Sequence, residues 1–150
     1  MQPIASENER VVRSLYEDCI NRGELSRLRH LVSDEFLGPR GERGPDGFAE
    51  AIRGLLHAFP NIRFTVDDVF GEGDRVAIRW TWRGTHENAF RSYAPTHQQV
   101  ETTAIAIYQL RDGKIVRTWL QSDRLGVLQQ LGVVPRDVSP PLSFPEPHTP

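Results

Sequence analysis

The sequence predicts an α+β domain in which helices lie across the mouth of a curved antiparallel sheet, forming a cone around an internal pocket. Two observations support this fold class. Apolar residues recur at helical spacing up to Pro60, and after Pro60 they alternate with polar residues as in strands. Packing helices against one face of the sheet buries the apolar faces of both. The 150 residues fit one domain, and we place it at 1–132.

A proline-rich tail is predicted to follow the domain at 133–150. It holds six of the 11 prolines and shows little periodicity, which is typical of extended or disordered chain. Leu142 and Phe144 are isolated apolar residues that suit contacts with a partner subunit. We expect the tail to be dispensable for the monomer core.

Three helices are predicted ahead of the sheet, over residues 6–21, 25–32 and 45–58. Ser6 and Glu9 match the S-x-x-E pattern of a capping box, which predicts the start of the first helix. Gly23 suits the left-handed residue that ends many helices. Pro45 is a favourable first-turn residue for the third helix. A short strand is also expected around Phe36.

A four-stranded meander is predicted from the alternation in NIRFTVDDVF, RVAIRWTWRGTH, VETTAIAIYQL and KIVRTWLQSD. The last two strands are joined by RDGK, in which Asp112-Gly113 is a strong signal for a type I′ hairpin turn. A last short helix is predicted at 124–131.

The hairpin also predicts which side chains share a face of the sheet, because Arg111 is expected to pair with Lys114. The pairs that follow are Thr102 with Asp123, Ala104 with Gln121, and Ala106 with Trp119. Side chains alternate along a strand, so all six share one face. Small residues on one strand would leave space beside a polar pair on the other. Which face is concave stays open.

Asp123 admits two interpretations at this point. Aspartate is a favoured N-cap residue, so its carboxylate fits the start of the last helix. Ser122 suits the cap equally well, which would leave Asp123 free to point into the pocket and transfer protons. Tyr16 likewise fits either an ordinary core position or a pocket wall, and its hydroxyl needs a partner if buried.

Composition argues against several classes of protein. A net charge of −2 speaks against nucleic-acid binding, which favours a basic domain. No apolar run reaches the length of a membrane span, and the first ten residues lack the features of a signal peptide. The lone cysteine cannot form an internal disulfide, and the five histidines show no metal-ligand spacing. We therefore expect a cytoplasmic protein that binds no metal, nucleic acid or membrane.

The chain resembles the SnoaL-like polyketide cyclase (ester cyclase) family, which has a nuclear-transport-factor-like cone fold. The resemblance runs from about residue 8 to 132 and is carried by VVRSLYEDCINRGELSRLRHLVSDEF, GFAEAIRGLLHAFPNIRFTVDDVFGEGDRVAIRWTWRGTH, APT, IAIYQLRDGKIVRTW and DRLGVLQQLG. It implies a deep apolar pocket, homodimers or larger homo-oligomers, and aldol ring closure without metal or cofactor. The family's acid/base is an aspartate at the end of the last long strand, and Asp123 matches that position.

Two loops depart from the family pattern. The segment FLGPRGERG lacks the histidine that many members carry after the second helix, and His97 in APTHQQ replaces a turn glycine. Both changes touch the expected pocket rim and leave room for related reactions such as pyran formation, epoxide opening or hydroxylation.

The leading hypothesis is a cofactor-independent cyclase or isomerase that acts on a hydrophobic polyketide-like or related natural-product intermediate. We predict that Ser122 caps the last helix, that Asp123 points into the pocket as the acid/base, and that the convex sheet face forms a homodimer. The residues expected to bind substrate are Tyr16, Gln121, Trp119, Thr102, Trp80 and Trp82. The alternative is a non-catalytic small-molecule binding or assembly module with the same cone, which predicts that Asp123 contacts backbone amides of the last helix.

Overall fold

The computed structural model describes residues 4–137. The helices are α1 (Ile4–Ser14), α2 (Leu28–Leu31), α3 (Gly44–Ala58) and α4 (Arg124–Gln130). A π-helical turn (Leu15–Ile20) continues α1, and a 3₁₀ turn (Leu25–Arg27) precedes α2. The strands are β1 (Val32–Leu37), β2 (Arg63–Glu72), β3 (Arg75–Thr85), β4 (Gln99–Arg111) and β5 (Lys114–Ser122). The predicted α+β class is confirmed. Residues 138–150, with Leu142 and Phe144, lie outside the described residues.

The strands form one sheet in the order β1-β5-β4-β3-β2. Strands β2 to β5 are the predicted antiparallel meander, and β1 adds a fifth strand that runs parallel to β5. The short strand expected around Phe36 is therefore real and extends the sheet at its β5 edge. Its pairing reaches only Arg117 of β5, so among residues 4–137 no strand lies beside the second half of β5 on that side.

The β4–β5 hairpin has the predicted turn but not the predicted register. Asp112 and Gly113 both have positive φ, as a type I′ turn requires. Arg111 pairs with Lys114, but the register then shifts by one residue, at Val116, through a β-bulge. A shift of one residue moves every later side chain to the other face.

The observed pairs beyond the bulge are Ala106 with Leu120, Ile105 with Gln121 and Ala104 with Ser122. The predicted pairing of Gln121 with Ala104 and of Trp119 with Ala106 is therefore wrong. The ladder ends at Ser122, so the predicted pairing of Thr102 with Asp123 is wrong as well.

Burial shows which face of the sheet is inner. Along β4 the even-numbered residues from Val100 to Leu110 are buried, and the odd-numbered ones face outward. Trp80 and Trp82 of β3 lie directly beside Ala104 and Thr102 of β4. The indole rings fill the space that the small residues were predicted to leave open.

The N-terminal helix is fixed to the sheet by polar side chains. The amide of Asn21 bonds the backbone N–H and carbonyl of Phe64 at 2.7 and 2.8 Å. Ser6 lies inside the helix, which is described from Ile4 onward, so the predicted capping box of Ser6 and Glu9 is wrong; Glu9 instead accepts the N–H of Gly71 at 2.9 Å. Gly23 has the predicted left-handed conformation, with φ of 66°.

The third helix, α3, covers the part of the inner face that lies near β1. It starts one residue before its predicted first turn at Pro45 and ends as predicted at Ala58. It packs mainly along β1, where Phe48 meets Phe36 with ring centroids 5.3 Å apart. Among the described residues, no helix is both long enough and apolar enough to cross a membrane.

Candidate active site

Four of the predicted site residues lie together in the core. Trp80, Trp82 and Thr102 point inward from β3 and β4, and Tyr16 meets them from the π-helical turn. Each has at most 7% of its surface exposed. Trp82 also packs against Phe59, with ring centroids 5.0 Å apart. These side chains stabilise the cone and, as they stand, leave no open ring face for a ligand.

A hydrogen-bonded chain of side chains crosses this core. The indole N–H of Trp80 donates to Tyr16 Oη at 2.9 Å, and the hydroxyl oxygens of Tyr16 and Tyr108 lie 2.5 Å apart. Thr118 of β5 is the cross-strand partner of Tyr108, so its side chain lies on the same face of the sheet. We call Trp80, Tyr16 and Tyr108 the tyrosine chain. Tyr108 was missed by the sequence reasoning, although its even number on β4 placed it on the same face as Thr102.

Burial keeps both phenols protonated at neutral pH. Desolvation raises the pKa of Tyr16 well above its ordinary value, and the neighbouring Tyr108 raises it further. Desolvation also raises the pKa of Tyr108 to about 12, against the opposing effect of the neighbouring Tyr16 and Thr118 hydroxyls. Both hydroxyls therefore keep their protons and do not act as bases at neutral pH.

The inner face of β5 is open where the tyrosine chain ends. Thr118 is half-buried opposite Tyr108, while Leu120 faces inward opposite Ala106 and still has 43% of its surface exposed. Ser122, the next inward position, is exposed. We call Thr118, Leu120 and Ser122 the open strip. These are the inward-facing positions of β5 that solvent reaches.

Asp123 follows the open strip and caps α4. Its Oδ1 accepts the N–H of Gly126 at 2.8 Å, and the side chain is exposed. The prediction that Ser122 is the cap is therefore wrong. So is the prediction that Asp123 points into an enclosed pocket, because the carboxylate turns back to satisfy the first turn of the helix.

Gly126 is the sequence signal that favours this cap. A Cβ at position 126 would overlap the Asp123 carboxylate, so a residue without a side chain is needed three positions after the cap. Only Gly126 donates to this carboxylate among residues 4–137, and its Oδ2 makes no hydrogen bond there. One carboxylate oxygen is thus held by the helix, and the other lies beside Gly126 and accepts no hydrogen bond from residues 4–137.

Trp119 and Gln121 lie on the outer face, opposite to their predicted side. Trp119 pairs with Ile107 and Gln121 with Ile105, because the bulge at Val116 reverses their orientation. The Trp119 ring is 41% exposed and lies 5.0 Å from the Arg75 guanidinium carbon. Neither side chain can contact a ligand on the inner face.

His86 organises the loop between β3 and β4 and was not singled out from the sequence. Its Nδ1 accepts the N–H of Thr96 at 3.1 Å, and the ring stacks on Phe59 at 5.4 Å. Accepting an N–H at Nδ1 places the ring proton on Nε2, which has no partner among the described residues. The alternation of inward side chains along β3, continued past Trp82 and Gly84, was the signal for its burial.

Two surface hollows lie away from these residues. The larger, about 560 Å³, is lined mainly by outward-facing residues of β2, β3 and β4. The smaller, about 160 Å³, lies between the 3₁₀ turn and α3. In residues 4–137 there is no group of three or more histidine, cysteine or acidic side chains placed to hold a metal ion.

Comparison with known proteins supports one family. The family model for SnoaL-like polyketide cyclases matches residues 10–131. A comparison with curated protein sequences found no match. A solved structure of a candidate SnoaL-like cyclase from Jannaschia sp. CCS1 superposes with a TM-score of 0.82 at 21% identity, covering 90% of this chain and 98% of that one. At that identity it supports the fold alone.

Two structures of higher identity come from Streptomyces. IdmH of Streptomyces antibioticus, described as a candidate polyketide cyclase, is 31% identical with a TM-score of 0.72, covering 84% of this chain and 99% of that one. AclR of Streptomyces galilaeus, described as a candidate hydroxylase, is 27% identical with a TM-score of 0.77, covering 87% and 99%. Because the family model spans the cone and its last helix, the chain belongs to the SnoaL-like polyketide cyclase family.

Proposed function

We propose that this protein is a cyclase or related isomerase that uses its own side chains to move protons on a hydrophobic polyketide-like intermediate. The observation that carries the proposal is the position of Asp123. It stands at the family's acid/base position, at the end of the open strip, with one carboxylate oxygen free of hydrogen bonds among residues 4–137.

The proposed reaction is an intramolecular aldol closure. The free oxygen of Asp123 takes a proton from the carbon between two carbonyl groups, and the resulting enolate carbon attacks a second carbonyl of the same molecule. The new carbon–carbon bond leaves an alkoxide, which takes the proton back from Asp123. General acid/base transfer of this kind contributes about 10²- to 10⁴-fold, and holding the two reacting carbons together adds to it.

Thr118 is the proposed donor to the enolate oxygen. Its side chain is half-buried in the open strip, on the same face as its cross-strand partner Tyr108, which in turn hydrogen-bonds Tyr16. A hydroxyl both donates and accepts, so Thr118 is able to donate to a ligand that lies over the open strip. Gln121 and Trp119 have no part in this proposal because they lie on the outer face.

A second candidate function is a non-catalytic module that binds an apolar molecule. One observation favours it: the Asp123 carboxylate contacts a backbone amide of α4, as that alternative predicted. The cap occupies only one of the two oxygens, so it does not by itself remove the capacity to accept a proton.

Incubation with poly-β-ketone esters in D₂O separates the two functions. We expect exchange of the acidic α-protons and ring closure without loss of mass, both faster than in buffer. Thr118→Val should slow closure by about tenfold or more, as loss of an oxyanion donor does, whereas Thr103→Val on the outer face of β4 should not. Binding seen by tryptophan fluorescence with neither exchange nor closure would support the binding module instead.

We also propose that the protein forms a homodimer through the outer face of the sheet. Phe70, Ile107 and Trp119 lie in one row across the strands, with 65%, 39% and 41% of their surfaces exposed. Ile105 is 55% exposed on the same face. A contiguous apolar surface of this kind usually marks an interface.

A further inference from the structure

The larger of the two surface hollows lies at the end of the sheet where β2 and β4 begin and β3 ends. Its volume of about 560 Å³ is within the usual range for sites that bind small molecules. Apart from Gly84 and Val100, every residue that lines it has a polar or charged side chain. We call it the outer hollow. A molecule bound there meets hydrogen-bonding groups, in contrast to the apolar core of the inner face.

Two arginines of the outer hollow lie directly opposite each other on neighbouring strands. Arg63 of β2 pairs with Arg83 of β3, and Arg83 pairs in turn with Glu101 of β4. Residues paired in this way have their Cβ atoms about 4.5–5.5 Å apart. All three residues line the hollow, so the strand register places their side chains in one row across it.

The row carries one positive charge more than its single carboxylate balances. Glu101 Oε1 lies 3.0 Å from Nη2 of Arg83, whereas Arg63 forms no ion pair within residues 4–137. Asp67, farther along β2, lies 3.7 Å from Arg79 instead. Like charges directly opposite each other destabilise a sheet, and an anion bound between the two guanidinium groups relieves that repulsion.

The rim of the outer hollow is fixed by paired hydrogen bonds. On one side the Asn61 amide donates to the Thr85 hydroxyl at 3.1 Å and accepts the Thr85 N–H at 2.7 Å. On the other side the Gln130 amide bonds the N–H and carbonyl of Glu101 at 3.0 and 2.9 Å. A rim that is ordered before a ligand arrives lowers the entropy cost of binding.

We propose that the outer hollow binds a small hydrophilic anion, a molecule that carries one carboxylate or phosphate group and several hydroxyl groups. Arg63 and Arg83 take the anionic group, because guanidinium groups bind carboxylates and phosphates through paired N–H donors. Thr65 and Gln99, which also line the hollow, supply a hydroxyl and an amide for the hydroxyl groups of the ligand. The site lies on the opposite face from the open strip, so it does not depend on the proposed function.

The outer hollow and the proposed homodimer use different parts of the outer face. Ile107, in the exposed apolar row, lies six residues along β4 from Glu101. At the rise of a β-strand this separation is about 20 Å. An anion in the hollow and a partner subunit on the apolar row can therefore be bound at the same time.

Isothermal titration of the full chain with three probes tests the proposal. D-gluconate carries a carboxylate, D-glucose 6-phosphate carries a phosphate, and D-glucose carries hydroxyl groups alone. At least one of the two anions should bind about tenfold or more tightly than glucose, and added salt should weaken this preference. The tighter anion identifies the recognised group. If neither anion binds more tightly than glucose, the proposal is wrong.

Three variants locate the site. Arg63→Gln should weaken binding of the preferred anion by about tenfold. Glu101→Gln removes the carboxylate that competes for Arg83 and should strengthen binding by about two- to fivefold, the range expected for an exposed ion pair. Arg10→Gln changes an exposed arginine on α1 and should bind as the wild type does. Unchanged affinity in Arg63→Gln, or an equal loss in Arg10→Gln, would contradict the site.

Thermal unfolding separates ligand binding from a structural role of Arg63. Without ligand, Arg63→Gln should melt no lower than the wild type, because it removes a repulsion between like charges. The preferred anion should raise the midpoint of the wild type, since a ligand that binds only the folded state stabilises it, and should leave that of Arg63→Gln unchanged. A ligand-free variant that melts several degrees lower would show that Arg63 serves the fold and would contradict the inference.

Discussion

Two phenols buried against each other make the core sensitive to alkaline pH. Tyr108 has its pKa raised by burial to about 12 from the ordinary 10.0. A group with a raised folded pKa contributes its full stabilisation below its unfolded pKa and loses it as the pH rises through the folded pKa. Below about pH 10 the contribution of Tyr108 should therefore be constant.

Between about pH 10 and pH 12 we expect the ionisation of Tyr108 on unfolding to lower the free energy of unfolding by roughly 2–3 kcal/mol. Urea denaturation at stepped pH measures this loss. Tyr108→Phe should show a smaller fall over the same range, because only the Tyr16 phenol remains to be ionised in that core. An identical fall in wild type and variant would show that the Tyr108 phenol does not titrate with unfolding.

At the scale of single elements, the sequence predicted the hairpin turn but not the bulge that follows it. Asp112-Gly113 demands positive φ at two positions, which few other pairs adopt. Alternation after Lys114 is ambiguous, because Ile115-Val116 and Trp119-Leu120 are both adjacent apolar pairs. A period of two does not say which member of each pair is inward. The bulge lets both Ile115 and Val116 be buried, and that choice reverses Trp119 and Gln121.

The reversed strand has a consequence for assembly. With Trp119 and Ile107 paired on the outer face, we expect a dimer of about twice the 17.1 kDa chain mass at micromolar concentration. Light scattering on Ile107→Glu should give a monomer, because a charge would be buried at the interface. Leu125→Glu, which changes a similarly exposed apolar residue on α4, should stay dimeric. A monomeric wild type would contradict the interface.

At the scale of the whole molecule, α4 and the residues after it close the cone. The Gln130 amide bonds the backbone of Glu101 at 3.0 and 2.9 Å, where β4 extends beyond β5. Val133 packs against the core, and the Gln129 amide donates to the carbonyls of Pro135 and Arg136 at 3.1 and 3.0 Å. The structure thus includes the start of the predicted tail in the domain.

Two truncations test where the domain ends. Ending the chain after Asp137 should leave the thermal midpoint unchanged. Ending it after Gly132 removes Val133 and three hydrogen bonds, which should lower the free energy of unfolding by about 1–2 kcal/mol and the midpoint by a few degrees. Loss of soluble protein in the variant that ends at Asp137 would show that residues 138–150 are needed for folding.

Much of the fold could be read from the sequence, and less of the site. The third helix and the meander follow from periodicity, which depends on neighbours in the chain. The tyrosine chain, by contrast, joins Tyr16 to Tyr108 across 92 positions, and the open strip depends on how far β1 pairs with β5. Such distant contacts leave no periodic signal. The sequence placed Asp123 correctly at the end of the last strand. Its carboxylate caps α4 because Gly126 has no side chain to overlap with it.

The turnover of Asp123→Asn tests the central claim most directly. Asparagine is as good an N-cap as aspartate, so the variant should keep its free energy of unfolding while losing the proton-accepting oxygen. We expect ring closure and α-proton exchange to fall by about 10² or more. Asp123→Ala should lose activity to a similar extent and also about 1 kcal/mol of stability, whereas Ser122→Ala should retain both. Full turnover by a stable Asp123→Asn protein would contradict the acid/base role and leave Asp123 as the helix cap alone.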